Sequence, residues 1–379
     1  MISIQKDVSI LKLEELFESV DSSPSVLRLP AKFDCSGLGG ILPAVMQSVC
    51  HWARTTTQAT LKSYSSQPLS RAFEDLSNTP HGMVASYMAK SAEDGRGNIV
   101  DRKSRMTLIR ENVIAMDSYD IRSTMKGPGA FLCCFSGAKN EYLAPLYISQ
   151  QSLRQRIDFE NLFEMILEKI GVNFSQTESL HAIYGLAYEL FENTHDHART
   201  DEIGTDYSWE YPNVRALLIR QIKSTAMREH RDHFFGDASG FLSTYKQILD
   251  EPSSKSAQFV ELSVFDSGPG MISRWTHSQE SSQTGHDLTA AEEKEIVSHL
   301  FMPGVTTKRL ADGSGFGLRN VIDDLASLQA YLRIRTGRIC LAQRFKPDSN
   351  EFRPLNWNKN RATLPPTTGT LFTIVIPVV

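Results

Sequence analysis

The pattern of apolar and polar positions predicts mixed helices and strands over the first 150 residues. Apolar residues at helical spacing indicate the helices, and short apolar runs indicate the strands. The predicted strands are 25–30, 129–136 and 142–148, and the predicted helices are 41–61, 71–76 and 83–94. No group of residues in this half indicates a catalytic site.

After residue 150 the pattern starts with an amphipathic helix over 153–171, which Gly171 ends. Its apolar face consists of Phe159, Leu162, Phe163, Ile166 and Ile170. The later predicted elements are a helix over 177–198, a polar irregular segment over 198–213, a helical pair up to about 250, a loop over 251–257, a strand over 258–265, helices over 288–301 and 318–330 on either side of a glycine-rich loop, strands at YLRIRTG and RICLAQRF across a tight turn, and a last strand over 369–378.

Helices and antiparallel strands come in runs in this second half, without strict alternation. That order is typical of an α+β fold in which helices cover a mixed sheet. A chain of 379 residues is long enough for two domains. We expect a mixed α/β N-terminal domain of unassigned role at 1–150, a connecting helix at 151–175 and a second domain at 176–379.

Composition and charge are those of an ordinary globular protein, with 41% hydrophobic residues and a net charge of -4. No apolar run approaches the roughly 18 residues of a membrane helix, and the N-terminus MISIQKDVSI lacks the pattern of a secretory signal. We therefore expect a cytoplasmic protein without a membrane partner. The mild acidity argues against broad nucleic-acid binding. The basic stretch DRKSRMTLIR at 101–110 leaves two interpretations open, a local nucleic-acid patch or a solvated helix face.

The five cysteines are an odd number and show no Cys-x-x-Cys spacing. Two of them, Cys133 and Cys134, lie in the apolar run AFLCCF. This distribution favours buried reduced thiols over disulfides or a zinc site.

The helix predicted at 177–198 carries Glu189 and Asn193, which lie four residues apart and so share one face. A carboxylate there can orient or deprotonate a water, and a carboxamide oxygen can coordinate a hard cation such as magnesium. A solvated helix face is the alternative interpretation of the same spacing.

The stretch VFDSGPGM at 264–271 places Asp266 at the end of a strand, before two glycines. Glycines let the backbone approach a flat ligand, while the carboxylate accepts a hydrogen bond from an exocyclic amine such as that of adenine. A simple turn is the alternative.

The segment GVTTKRLADGSGFGLRN leads from Lys308 through Gly313, Gly315 and Gly317 into a helix. Backbone amides at a helix N-terminus suit phosphates, and a lysine can add a point charge. The segment matches neither the Walker pattern nor the dinucleotide-binding pattern.

Taken in order, these three motifs and the closing GTLFTIVIP at 369–377 resemble the GHKL ATP-binding family. This family groups gyrase B subunits, large heat-shock chaperones, sensor histidine kinases and MutL proteins. The matching stretches are YELFENTHDHA, VFDSGPGM, FMPGVTTK, GSGFGL and GTLFTIVIP. The resemblance covers the C-terminal half and implies a Bergerat-type sandwich of a mixed sheet and helices.

The resemblance also implies a role for each matching residue. Asp266 is the position that reads adenine, Asn193 is the magnesium ligand and Glu189 is the position that activates water in hydrolysing members. The other implied nucleotide-binding positions are Gly268, Gly270, Lys308, Gly313, Ser314, Gly315, Gly317, Leu318 and Thr370. The implied cofactors are ATP and Mg²⁺.

Two histidines at the end of the same helix leave alternatives open. His197 fits the His-Ala ending of some members, including small anti-sigma-factor kinases, and is equally well a structural histidine. His195 with His197 could also form a metal pair, although no third ligand follows at a useful spacing.

The chain departs from the family pattern in two places. About 70 residues separate Asn193 from Asp266, so residues at about 200–250 are interpreted as an insertion. The polar segment SQESSQTGHDLTAAEE, before Gly313, suits a lid over ATP. The helix at 153–171 also contains no histidine to serve as a phosphoacceptor.

The expected function is therefore Mg-ATP binding with slow hydrolysis, used as a conformational switch. The switch would report to a protein partner or to a second copy in a homodimer. The alternatives are a protein kinase of the histidine-kinase or anti-sigma-factor type, acting on a separate protein, and a scaffold that binds nucleotide without catalysis.

Overall fold

The computed structural model describes most of the 379-residue chain, and its described residues form an α+β fold. The described ranges are 1–18, 25–34, 39–64, 69–94, 96–120, 125, 127–150, 152–174, 176–223, 258–279, 288–305, 317–349 and 351–378. The helices are α1 (Ile10–Glu18), α2 (Ile41–Thr55), α3 (Leu69–Ser77), α4 (Pro80–Met88), α5 (Arg102–Asp117), α6 (Arg156–Ile170), α7 (Thr177–His197), α8 (Met271–Ser278), α9 (Ala290–Leu300) and α10 (Gly317–Ser327). The strands are β1 (Ile2–Ser3), β2 (Val26–Leu29), β3 (Thr60–Ser63), β4 (Ser91–Glu93), β5 (Ile99–Val100), β6 (Gly129–Phe135), β7 (Tyr147–Ser149), β8 (Ser152–Leu153), β9 (Val214–Lys223), β10 (Gln258–Asp266), β11 (Tyr331–Gly337), β12 (Ile339–Arg344), β13 (Leu355–Asn356) and β14 (Thr367–Val378).

The N-terminal residues form a small, mostly parallel sheet in the order β1-β2-β3-β4-β5. Strands β1 to β4 are parallel neighbours, and β5 is antiparallel to β4. Parallel neighbours need crossover connections, and α1, α2 and the pair α3–α4 supply them in chain order. The expectation of a mixed α/β region at the N-terminus is confirmed for these residues.

The main sheet has seven strands in the order β13-β12-β11-β14-β10-β9-β6, and all neighbours are antiparallel. Its edge strand β6 comes from residues 129–135, which the sequence analysis assigned to the N-terminal domain. The sheet therefore includes chain from both sides of the predicted domain boundary.

Different helices cover the two faces of the main sheet. Directly paired residues on neighbouring antiparallel strands share a face. On one face Arg335 of β11 pairs with Glu14 of α1. On the other face Arg215, the strand partner of Asp266, donates to Tyr147, whose ring packs on Phe191 of α7. Asp266 thus lies on the α7 face, and the β11 arginine lies on the face of α1.

Because helices cover both faces of the main sheet, its inner strands are buried on both sides, and this explains the main error in the predicted elements. The segment 214–223 lies within the predicted insertion and helical pair, yet it forms the inner strand β9. Apolar residues on both faces of an inner strand remove the period-two alternation that marks a half-buried strand. Residues 224–257, which hold the rest of the predicted helical pair, lie outside the described residues.

Three further predicted elements are shorter than expected. The helix predicted at 83–94 ends at Met88, and Ser91–Glu93 form β4. Helix α2 ends at Thr55, where a run of β-branched threonines begins, and 60–63 forms β3 instead of a last helical turn. Of the predicted strand at 142–148, only Tyr147 and Ile148 lie in β7. The basic stretch at 101–110 is helical, and its Arg105 is buried, donating to the carbonyls of Ser86 and Ala89.

The core of the described chain is continuous across the main sheet and contains all four described cysteines. Cys50, Cys133, Cys134 and Cys340 are buried and free, as expected for reduced thiols, and Cys35 lies outside the described residues. Among the described helices, none combines the length with the apolar character needed to cross a bilayer.

The sheet also buries an ion pair between Arg220 of β9 and Glu261 of β10. Arg220 Nε donates to Glu261 Oε2 at 2.7 Å, and Ser263 Oγ donates to Glu261 Oε1 at 2.9 Å. Both charged side chains are almost fully buried. Removing one charge leaves the other buried without its counterion, which costs far more than the intact pair contributes.

We expect Glu261→Gln to lower the free energy of unfolding by about 3–5 kcal/mol because the Arg220 charge stays buried. The double variant Arg220→Met/Glu261→Leu should recover most of that loss. Urea unfolding monitored by circular dichroism measures both, with Glu351→Gln in the exposed pair Arg353–Glu351 as a control that should change stability by less than about 1 kcal/mol. Equal losses in the single and double variants would contradict this account.

Candidate functional site

Asp266 lies at the C-terminal end of β10 and is only 7% exposed. Its Oδ1 accepts the Gly268 N–H at 2.8 Å, and the Thr370 N–H also donates to the carboxylate. Burial raises the pKa of Asp266 to about 6, although these amides and the charges of Arg54 and Arg274 lower it. The side chain is therefore a desolvated acid held in place by main-chain donors.

Glycines allow three chain segments to meet at this acid. A Cβ on Gly268 would lie 2.7 Å from the Ala198 Cβ, at the end of α7. Gly369 has a φ of 70°, and a Cβ there would overlap the Asp266 carbonyl oxygen. Gly270 has a φ of 85°, and a Cβ there would lie 3.0 Å from the Gly369 oxygen. Side chains at these positions would push α7, β10 and β14 apart.

A pair of threonines borders the same acid. Thr370 Oγ1 accepts the Met271 N–H at 3.2 Å, at the start of α8. Thr336 of β11 is its strand partner, and the two hydroxyl oxygens are 3.3 Å apart. Sequence reasoning found Thr370 and missed Thr336, because only strand pairing makes them neighbours.

Helix α7 presents Glu189 and Asn193 on a half-buried face. Asn193 Nδ2 donates to the Glu189 carbonyl at 2.9 Å, so the carboxamide oxygen is the side-chain atom left for a further ligand. Leu186, Leu190 and Phe191 are fully buried, as the helical spacing predicts.

The N-terminus of α10 lies against Glu189. A Cβ on Gly317 would be 2.8 Å from Glu189 Oε2. The unpaired amides at a helix N-terminus favour a carboxylate or another anion nearby. Glycine at this position leaves room for that approach.

Asp324, two turns into α10, is a second acid near α7, half-buried, that sequence reasoning missed. A Cβ on Gly185 of α7 would lie 2.5 Å from its Oδ2, which lacks a hydrogen-bond partner among the described residues. Burial raises the pKa of Asp324 to about 7, the Arg156 charge lowers it, and Glu189 raises it further. The sequence contained a signal for this position: Asp324 follows Gly317 by seven residues, and residues seven apart lie on the same face of a helix.

Two groups of residues thus contact α7, at two different points along its length. Asp266, its glycines and Thr370 meet the helix at Ala198, and Gly317 meets it at Glu189. Nine residues of helix between these contacts correspond to about 13 Å. The site is elongated, with a buried acid at one end and a helix N-terminus at the other.

The N-terminal half reaches the acid end of this site. Arg54 of α2 donates to Asn213 Oδ1 at 3.2 Å, and Ser267 Oγ donates to the same oxygen at 2.6 Å. The Cys50 thiol, also on α2, contacts Ser267, and burial raises the pKa of Cys50 to about 12. Helix α2 is therefore linked to the residue that follows Asp266.

Four of the predicted phosphate-site residues, Lys308, Gly313, Ser314 and Gly315, lie outside the described residues, as do residues 280–287 of the proposed lid segment before them. Leu318 lies in the first turn of α10 and packs, partly buried, against the core.

The contacts at the two histidines of the α7 end involve one side chain and one main-chain carbonyl. His195 is buried, with Nδ1 3.3 Å from the Tyr147 hydroxyl, and the His197 carbonyl accepts Arg274 Nη2 at 2.7 Å. Within the described ranges, no group of three or more His, Cys, Asp and Glu side chains could hold a metal ion.

Comparison of the chain with models of protein families, with curated proteins and with solved structures found no match. The functional conclusion therefore rests on the residues and distances of the site itself.

We expect Gly369→Ala to lower the free energy of unfolding more than Gly171→Ala does, as measured by urea unfolding. Both glycines have left-handed φ values, 70° and 71°, so each alanine costs about 1 kcal/mol in backbone strain. Only at Gly369 does the new Cβ meet the Asp266 carbonyl, and overpacking of that kind adds about 1–3 kcal/mol. Equal losses would show that the segments are not in close contact.

We expect Asp266→Asn to stabilise the protein at neutral pH. The native carboxyl group keeps its proton up to a pKa of about 6, whereas the unfolded chain releases it near its ordinary value of 3.8. The native state thus binds more protons between these values, and stability falls as pH rises through them. The variant should match wild type below pH 4 and exceed it by up to about 3 kcal/mol above pH 6.

Urea unfolding at a series of pH values tests this expectation, with exposed Asp7→Asn as the control. A stability difference between Asp266→Asn and wild type that stays constant with pH would be inconsistent with a desolvated carboxylate.

Proposed function

We propose that the C-terminal part of the chain is a Bergerat-type ATP-binding domain of the GHKL family, which binds Mg-ATP and hydrolyses it slowly. The observation that carries this proposal is the buried carboxylate of Asp266 at the end of β10. An ionised acid kept out of water is destabilising unless other groups compensate it, and a ligand that donates to Asp266 would supply that compensation.

Adenine binding at the Asp266 end of the site is supported by the hydrogen-bonding capacity of the carboxylate and by the shape of the backbone around it. A carboxylate can accept about four hydrogen bonds, and main-chain amides from Gly268 and Thr370 use part of this capacity. The exocyclic amine of adenine would donate to the remainder. Gly268 and Gly270 leave backbone without side chains beside the acid, which suits a flat base.

The phosphate end is supported by the contact between Glu189 and Gly317. The N-terminus of α10 would face the phosphates, and Glu189 beside it would orient or deprotonate a water for attack. The distance of about 13 Å along α7 between the two ends suits an extended nucleoside triphosphate.

The residues present also fit magnesium. Mg²⁺ usually keeps several waters and takes one or two protein ligands besides the substrate phosphates. Asn193 would hold it through the carboxamide oxygen, whose amide group is anchored on the Glu189 carbonyl. When bound, the ion would neutralise negative charge on the phosphates.

The contacts of α2 support a switch role. Ser267 and Asn213 link the acid end to Arg54, so a change at Asp266 on nucleotide binding would alter contacts of the N-terminal half. That half would report the change to a protein partner or to a second copy of the chain. The four buried free thiols agree with a reducing compartment such as the cytoplasm.

Incubation of the purified protein with γ-labelled Mg-ATP, alone and with lysate, tests the proposal. We expect free labelled phosphate from wild type and a loss of about 10²–10⁴-fold in Glu189→Gln, with ATP affinity nearly unchanged. Asp266→Asn should weaken ATP binding about tenfold or more, because it removes a charge-assisted acceptor. Glu178→Gln, an exposed glutamate on the same helix, should behave as wild type.

The fate of the label separates the alternatives. Transfer to a protein would make this a kinase of the anti-sigma-factor or histidine-kinase type. Binding without turnover, unaffected by Glu189→Gln, would indicate a nucleotide-dependent scaffold. Wild-type ATP affinity in Asp266→Asn would overturn the site itself.

A further inference from the structure

A cleft lies on the opposite face of the main sheet from the candidate nucleotide site. Its walls are α1, α2, strand β11 and the start of β14, and its empty space, including the open mouth, is about 390 Å³. Its polar lining consists of Glu14, Gln47, Ser48, His51, Arg333, Arg335 and Thr367. The cleft is narrow and its lining contains two guanidinium groups and one carboxylate.

One of the two arginines is fully compensated. Arg335 Nε donates to Glu14 Oε1 at 2.8 Å and Nη2 donates to Oε2 at 3.0 Å, a bidentate ion pair. Its Nη1 donates to the Gly337 carbonyl at 2.8 Å. Glu14 and Arg335 therefore cancel each other's charge.

The other arginine has no such partner. Arg333 is 1% exposed, and its recorded hydrogen bond is a long one, from Nη2 to the Gly40 carbonyl at 3.4 Å. Its Nε is buried without a hydrogen-bond partner, and the ring of Trp357 lies 5.7 Å from its guanidinium carbon. Within the described part of the chain, no carboxylate forms an ion pair with Arg333.

A buried guanidinium group without a counterion is strongly unfavourable, because no opposite charge replaces its lost hydration. Arg333 lines the cleft, so the cleft is where a counterion can reach it. Gln47, Ser48 and His51 of α2 add hydrogen-bonding groups to the same wall.

We propose that this cleft is a binding site for a small anion, a compound bearing a carboxylate or a phosphate group, with Arg333 as its main cationic contact. The narrow space favours a compact ligand. The apolar side chains of Ile10, Leu13 and Phe17 form another wall of the cleft and would face the carbon atoms of the ligand.

The position of the cleft suggests that its occupancy affects the nucleotide site, an extension that rests on the proposed function. Gln47 Nε2 donates to the Arg335 carbonyl at 3.0 Å, and His51 Nδ1 lies 3.3 Å from Thr368 Oγ1. Thr368 is two residues before Thr370, whose N–H donates to Asp266. A ligand that moved α2 against β14 would therefore shift a donor of the adenine-reading acid.

Thermal unfolding and calorimetric titration of the full chain, without nucleotide, test the site. The probes are inorganic phosphate and malonate, with malonamide as the uncharged match and sodium chloride at equal ionic strength. We expect saturable stabilisation by phosphate, malonate or both, and none by malonamide or chloride. Which anion binds more tightly identifies the class of ligand.

Arg333→Met should weaken anion binding about tenfold or more, since a charge-assisted contact is lost. It should not lower the unfolding temperature of the ligand-free protein, because it removes an uncompensated charge. Arg353→Met, an exposed arginine elsewhere, should bind the anion as wild type does. If Arg333→Met does not fold, Arg333→Lys should keep saturable binding because it keeps the charge.

Failure of both anions to stabilise wild type in a saturable manner overturns the proposal, and so does undiminished binding by Arg333→Met. A separate titration of ATP with and without the saturating anion measures the coupling. Anion binding that leaves ATP affinity unchanged overturns the coupling alone. Loss of ATP binding under all conditions counts against the proposed function and leaves the anion site standing.

Discussion

The antiparallel pairing of β10 with β14 is the interaction on which the rest of this structure depends. Eight residue pairs run from Gln258 with Val378 to Phe265 with Leu371. At the end of this ladder the strands come so close that Gly369 leaves no space for a side chain against Asp266. The pairing places Asp266 and Thr370 on the α7 face and directs the next residue on each strand to the face of α1 and α2.

The same strand pairing also determines which polar side chains are buried in the sheet and which partners they have. Glu261 and Arg220 form an ion pair across two strands, whereas Asp266 accepts hydrogen bonds from the main-chain amides of Gly268 and Thr370. Arg333, on the opposite face, has even fewer partners. Buried polar groups that the protein itself leaves incompletely paired are the places where a ligand contributes most, since it removes an existing cost. The two proposed binding sites are at these positions.

The two sites are linked through α2. This helix packs along β14 on one face of the sheet, and its Arg54 and Cys50 reach Asn213 and Ser267 beside the acid. The N-terminal half is therefore not an independent attachment to the sheet, because it supplies a helical layer, and residues 129–135 supply an edge strand. A core shared in this way transmits small displacements, since close-packed interiors have little free volume to absorb them.

The local pattern of apolar and polar residues was sufficient to predict the strongly periodic elements. It predicted α6, α7, the strands β10 and β14 and the shared face of Glu189 and Asn193, because each of these depends on spacing within one segment. The α+β class followed from the order of such elements. Pattern failed at β9, where burial on both faces removed the alternation. It also gave no sign that residues 129–135 pair with β9, because strand pairing joins residues far apart in the chain.

The sequence by itself thus determined which side chains could carry chemistry and on which elements they lie. Only the tertiary structure decided that Asp266 is desolvated, that Glu189 meets the N-terminus of α10, and that Thr336, Asp324, Arg54 and Arg333 surround these groups or oppose them across the sheet. Desolvation, close approach and missing counterions depend on which distant segments pack together. No local pattern specifies that packing.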